Sequence, residues 1–332
     1  MEVKYKKFIV RFIILVSVSL CTIMFINYKI DCYGVFTADY TKVGQENNNN
    51  YIKTKYIIEN PNKFDSFIFG SSRVEYIPVE NLEGGKFYNM TYVQGIPSEW
   101  LDTIKTFKEN NVSMKNIIIA VDDFSATIFP EEHLNSPNLL SYSSIKNNLS
   151  NIIKYYLLKN PLDDRSKAII KNGRPSNVNV EGTGRVIRID DEEFYRSDAH
   201  LNKSMFERPT ILGNYENNRI DEVINEIEQI KDLCDNNNIS LTVIFNPIHI
   251  TTYENTNKEK LLEFKSKLSE ITSYWDFNSI NEITTNNYYW YETSHYREIV
   301  GSMMLKKIYG EQYKKDIEVP SEFGKLVIKK IL

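Results

Sequence analysis

Four short segments carry side chains whose type and spacing suit chemistry: Gly70-Ser71-Ser72-Arg73, Gln94-Gly95, Asp122-Asp123 and Glu292-Thr293-Ser294-His295. In the first, a hydroxyl follows an apolar run that stops at Gly. That geometry exposes the side chain and aims backbone N–H groups at the same spot, where they would hold a developing oxyanion. A Ser capping a helix gives the same pattern. The last segment adds a base. A Ser hydroxyl is a poor nucleophile alone, and His is its usual partner. A carboxylate three residues before a His can fold back on the imidazole, fix its tautomer and stabilise the imidazolium. The chain has only four His, so this pairing carries weight. The alternative for His295 is a polar position at a helix start, capped by Thr293 or Ser294. Arg73, Asp123 and His249, the last in Asn246-Pro247-Ile248-His249, are the candidates for contact with a substrate. His133 and His200 have no metal-site spacing, and no metal or cofactor is expected.

These segments need a frame that brings them together. Asp65 to Gly70, Lys86 to Met90, Asn116 to Val121, Ile239 to Phe245 and Ser273 to Phe277 read as short strands. Helices are expected from Pro97, where Trp100, Leu101, Ile104 and Phe107 share a face, and from Arg219, where Ile220, Val223, Ile227 and Ile230 do. Further helices are expected over Lys258 to Ile271 and His295 to Tyr309. Strands alternating with helices predict an α/β fold with a parallel sheet covered on both faces. In such sheets, chemistry gathers at the carboxyl ends of the strands. All the segments above lie at or near such ends.

The chain of 332 residues carries a formal net charge of −4, which argues against a nucleic-acid binder. Its three Cys make no disulfide framework. Lys4, Lys6 and Lys7 precede an apolar run from Phe8 to Ile26, broken only by Arg11. A membrane span needs about 20 apolar residues, which the run reaches if Arg11 snorkels to the interface. No small-x-small cleavage site follows Ile26, so a retained helix is expected rather than a removed signal. Basic residues before the span place the N-terminus inside and the rest of the chain outside. The expected organisation is a cytoplasmic N-terminus (1–7), a transmembrane anchor (8–27), a juxtamembrane linker (28–62) and one extracytoplasmic domain (63–332). An insertion occupies about 126–215. The expected location is the cell membrane, single-pass. Lys and Arg near the C-terminus read as a solvated tail.

Gly70-Ser71-Ser72-Arg73 resembles the first motif block of SGNH (GDSL-like) hydrolases, in the variant where Ser replaces the Asp before the nucleophile. Asn89 through Gly95 resembles the second block, and Tyr291-Glu292-Thr293-Ser294-His295 the last, with Glu for the usual Asp. The resemblance covers roughly Phe64 to Gly310. It implies a three-layer SGNH-like fold, a nucleophile at Ser72, a base at His295 and an orienting carboxylate at Glu292. It also implies an oxyanion hole from the backbone of Ser72 and Gly95. The family's third block adds an Asn side chain there. Asp122 or Asp123 stands in its place, and an ionised carboxylate cannot donate a hydrogen bond.

A membrane-anchored chain with this Ser-Ser variant resembles proteins of bacterial envelope acylation, of the alginate O-acetylation and teichoic-acid D-alanine transfer kinds. That resemblance implies acyl transfer or ester hydrolysis on an extracellular polysaccharide or teichoic-acid-like polymer. It also implies a membrane-bound O-acyltransferase (MBOAT) as partner. The competing expectation is a non-catalytic accessory or scaffold subunit of such a system, which the Asp at the third block favours.

Overall fold

The computed structural model describes residues 2–37, 39–174, 177–187, 196 and 198–330. Its centre is a sheet of β1 (Ser66–Gly70), β2 (Phe87–Asn89), β3 (Asn116–Val121), β4 (Ser240–Phe245), β5 (Tyr274–Asp276) and β6 (Lys325–Val327), in the order β2-β1-β3-β4-β5-β6. The first five strands pair in parallel, and β6 runs antiparallel along β5. Successive strand residues face opposite sides. Phe67, Phe69, Ile117, Ile119 and Val121 therefore join one core, and Ile68, Ile118, Ala120 and Ile244 another. Burial on both faces explains why these strands are continuous apolar runs rather than alternating ones.

On the first face lie α3 (Pro97–Glu109), whose Pro97 suits the first helical turn, and α5 (Ile220–Asn236). Trp100, Ile104 and Phe107 of α3 pack with Val223, Ile227 and Ile230 of α5. Phe264 and Leu268 of α6 (Lys258–Ile271) complete that layer. On the second face lies α7 (Glu298–Tyr309), which contributes Val300, Met304 and Leu305. Truncating a ring such as Phe107 to Ala would cost about 3–5 kcal/mol.

The register puts the functional strand ends side by side. Gly70 pairs with Ala120, and Val121 pairs with Phe245. The expected neighbours β1, β3 and β4 are adjacent, so Ser71, Asp122 and Asn246 emerge together.

Three expectations are corrected. Residues 28–62 are not a free linker: α2 (Asn49–Glu59) buries Ile52, Tyr56 and Ile57 in the first core. Within this segment, Asn47 to Asn50 are buried, and their amides bond carbonyls. Asn48 Nδ2 donates to Leu140 O (3.0 Å) and Asn49 Nδ2 to Gly44 O (3.0 Å). The C-terminal segment is not a free tail, because it supplies β6, although its Lys325, Lys329 and Lys330 are exposed as expected. The last helix starts at Glu298, so His295 lies in the turn before it and caps nothing.

The insertion packs on the domain, with Val178, Val180 and Val186 in the first core. It contains a π-helical turn, Ile152–Leu157, and helix α4 (Asp164–Asn172); its remainder over 188–195 lies outside the described residues. The N-terminal helix α1 (Glu2–Ile30) is long and apolar enough to cross a membrane, at about 43 Å by helical rise. Phe8, Ile9, Phe12, Ile13 and Leu15 on it are exposed rather than packed in the fold.

Candidate functional site

β1 ends at Gly70, where a side chain would collide with Val74 and crowd Ala120. The chain then turns into a single 3₁₀ turn, Ser72–Val74, rather than a longer helix. Ser71 is buried, and its Oγ accepts from the Arg73 N–H (3.2 Å). It is the cap of this turn. Ser72, one residue on, reaches the rim. Its hydroxyl donates to His295 Nε2 at 2.8 Å.

Nδ1–H of the same ring donates to Glu292 Oε1 at 2.5 Å. The partners assign this tautomer: acceptor at Nε2, donor at Nδ1. The loop is shaped to hold it. The Glu292 carboxylate also accepts from the backbone N–H of Ser294 (2.7 Å) and of His295 (2.6 Å). Burial opposes charge on Glu292, but the hydrogen bonds and attraction of His295 outweigh it and hold its pKa below the ordinary carboxylate value. Burial likewise pulls the His295 pKa down, and the Glu292 bond and charge, helped by Glu75, override it and raise it. A hydroxyl, a base and an orienting carboxylate thus stand in one line, with the carboxylate on the far side of the imidazole.

Gly95 lies against the end of β1. A side chain on it would sit 2.4 Å from the Gly70 carbonyl oxygen. Gly is therefore required for the second segment to approach the Ser71-Ser72 turn. Its N–H closes a long turn bond to Tyr92 O (3.3 Å). The Ser72 N–H heads the 3₁₀ turn, a position with no partner inside its own helix.

The other sequence candidates belong elsewhere. Arg73 is not a substrate contact: it is 1% exposed, paired with Asp122 (3.3 Å) and Asp123, and stacked on Phe124. Asp123 is spent in the same pair and is likewise buried. Asp122 does not serve an oxyanion hole as a donor. Its Oδ1 accepts from Arg73 and from Asn246 Nδ2 (3.0 Å). His249 is buried rather than facing the site. Nε2–H donates to Asn287 Oδ1 (3.1 Å), Nδ1 accepts from the Thr251 N–H (3.2 Å), and burial lowers its pKa.

Sequence reasoning missed what this cluster does. Arg73 ties the end of β1 to the end of β3, and its Nε reaches Ser294 Oγ at 3.5 Å in the loop that carries His295. An Arg beside a hydroxyl and a double Asp at the next strand end were the available signals. Also missed were Glu75 and Lys53, both buried behind the site. Burial raises Glu75 to about 7 and lowers Lys53 to about 7. No protein-family model matches the chain, and no curated protein matches its sequence.

Proposed function

We propose that the chain is a membrane-anchored serine acyltransferase or esterase of the SGNH type. It would use a Ser72–His295–Glu292 triad on acyl esters of an extracellular glycan or cell-wall polymer. The observation that carries this reading is the continuous line from the Ser72 hydroxyl through both nitrogens of His295 to Glu292. In this mechanism Ser72 Oγ attacks the acyl carbonyl as His295 Nε2 takes its proton. The Ser72 N–H steadies the oxyanion, joined by the Gly95 N–H once it turns from its long bond to Tyr92 O (3.3 Å), and His295 returns the proton to the leaving oxygen. An acceptor hydroxyl, from a glycan or water, then gives its proton to His295, attacks the acyl-Ser72 ester and regenerates the hydroxyl. Glu292 stays ionised throughout and stabilises the imidazolium. A groove of about 240 Å³ lies next to Glu292 in the chain, lined by Tyr288, Tyr291, Arg297, Glu298, Ile299 and Lys315, and its two aromatic rings and mixed charges would suit a polar polymer.

The anchor is α1. Lys4, Lys6 and Lys7 in its first turns, ahead of the apolar run, favour a cytoplasmic N-terminus and an extracytoplasmic domain. An MBOAT partner that delivers the acyl group is part of the same reading and rests on the motif resemblance alone. The alternative, a non-catalytic accessory or scaffold subunit, keeps its motive: Asp122 accepts from Arg73 and Asn246 and supplies no third donor to an oxyanion hole.

The test is turnover of a small aryl acetate by the full chain. Ser72→Ala and His295→Ala should each lower the rate by about a thousandfold or more, and the double variant should be little worse, since the two act as a unit. Wild-type turnover in Ser72→Ala would defeat the proposal.

A further inference from the structure

The base of α1 does not end in open chain. Asn27, 1% exposed, donates through Nδ2 to Leu157 O (2.7 Å) and Lys159 O (2.8 Å). Arg174 Nη2 donates to Ile30 O (3.0 Å) and pairs with Asp31 (3.0 Å). Between these clamps, Cys32 Sγ meets Ser166 Oγ on α4 at 3.1 Å, and Arg165 stacks on Tyr33. The stretch from the π-helical turn through α4 is thus bolted to the last turn of α1.

That stretch exposes large apolar side chains: Leu149 (68%), Leu158 (42%), Leu162 (65%) and Ile170 (64%). Singly, exposed leucines are ordinary; here they fall in the one stretch that is clamped to the base of α1. Leu158 sits between the two carbonyls that Asn27 binds. Ile170 lies one helical turn beyond Ser166, on the side of α4 that meets the base of α1. The exposed charge of the stretch is also basic. From Lys146 to Arg174 the exposed charged residues are Lys146, Lys154, Lys167 and Lys171 against Asp164, whereas the whole chain has a net charge of −4. Apolar side chains among basic ones, beside a helix able to span a bilayer, match the chemistry of a surface that rests on anionic lipid.

The geometry points to a membrane-resting foot: Leu149, Leu158, Leu162 and Ile170 enter the headgroup layer of the bilayer that α1 crosses, and the neighbouring lysines meet anionic headgroups. This rests on the reading of α1 as a membrane span. With α1 as the only tether the domain would swivel. The foot adds further points of attachment, so the face that carries Ser72 is held at a fixed attitude to the membrane.

The experiment uses the full chain in nanodiscs of phosphatidylcholine and phosphatidylglycerol, with an environment-sensitive fluorophore on one cysteine at a time. Cys21 on α1 is exposed while Cys32 and Cys234 are buried, so native Cys21 reports on the anchor. In a Cys21→Ser background, Leu162→Cys reports on the foot, and Leu262→Cys, 65% exposed on α6, is the control. Lipid carrying a quencher near its headgroup should quench position 162 by more than about twofold, as expected for an interfacial apolar group. Aqueous iodide should quench position 262 instead. A 162 label that behaves like 262 while the Cys21 label is quenched by lipid would overturn the foot and leave the anchor standing. An unquenched Cys21 label would overturn both. A 162 label shielded from both quenchers would mean that protein, not lipid, covers the patch, and would also overturn the proposal.

Discussion

Ser72 and Arg73 are adjacent in sequence and enter two opposite environments. Ser72 reaches the rim and meets a His whose side chain is 19% exposed. Arg73 turns inward and is sealed with Asp122 and Asp123. Under the proposed function the first group moves a proton, while the second holds three segments in place. Removing Ser72 Oγ costs an interaction at the rim. Removing the Arg73 charge leaves two carboxylates uncompensated in the interior. What separates the two residues is access to water, which residue type alone does not reveal. The rim should therefore answer to activity assays and the interior to unfolding.

The largest stability effect is expected from the interior. Arg73→Met should cost about 3–5 kcal/mol, as for other broken buried pairs. Adding Asp122→Asn and Asp123→Asn should recover much of that loss, because the uncompensated charges go with the cation. Denaturant unfolding of the three forms measures this. An Arg73→Met chain within about 0.5 kcal/mol of wild type, the range of an ordinary surface change, would erase the contrast.

Glu292→Gln comes next. It keeps the shape of the loop but removes the charge that favours the imidazolium. The rate should fall by about one to two orders of magnitude less than in Ser72→Ala, in line with triads dissected elsewhere. Steady-state turnover of the aryl acetate reads the difference.

The pH dependence sharpens the same point. His295 must be neutral to accept the Ser72 proton, and its pKa is raised above the ordinary 6.5. Activity should therefore rise with pH through a midpoint above that value, and Glu292→Gln should move the midpoint down. The linked stability runs the other way. A raised His pKa contributes stability that is full below the unfolded value and fades as pH rises through the folded one. The depressed Glu292 contributes above its unfolded pKa and loses that contribution as pH falls through its folded one. A kcat/KM profile flat between the ordinary His value and alkaline pH would break the account of His295.

Much of the frame was legible because burial and periodicity coincide. The run Asn116–Val121 and the helix Lys258–Ile271 have the bounds that their patterns suggest. The pairing of Glu292 with His295 was legible in their type and spacing, whereas the choice of Ser72 over Ser71 came from the motif resemblance. The misreadings share one cause: polarity in a sequence does not report solvation. Asn47 to Asn50 read as linker yet are buried on backbone partners. Arg73, Asp123 and His249 read as substrate contacts yet satisfy one another or the interior. β6 was missed because three residues at a sheet edge, Lys325 to Val327, carry no period of their own.

The central claim is that the Ser72 hydroxyl is activated by His295. A fluorophosphonate probe tests it directly, since it labels a Ser only where a base has made it nucleophilic. The account predicts labelling of the full-length wild-type chain, none in Ser72→Ala or His295→Ala, and labelling retained in Ser71→Ala, whose hydroxyl caps the turn and bonds Asp122. Persistent labelling of Ser72→Ala, or no labelling of wild type, would contradict it.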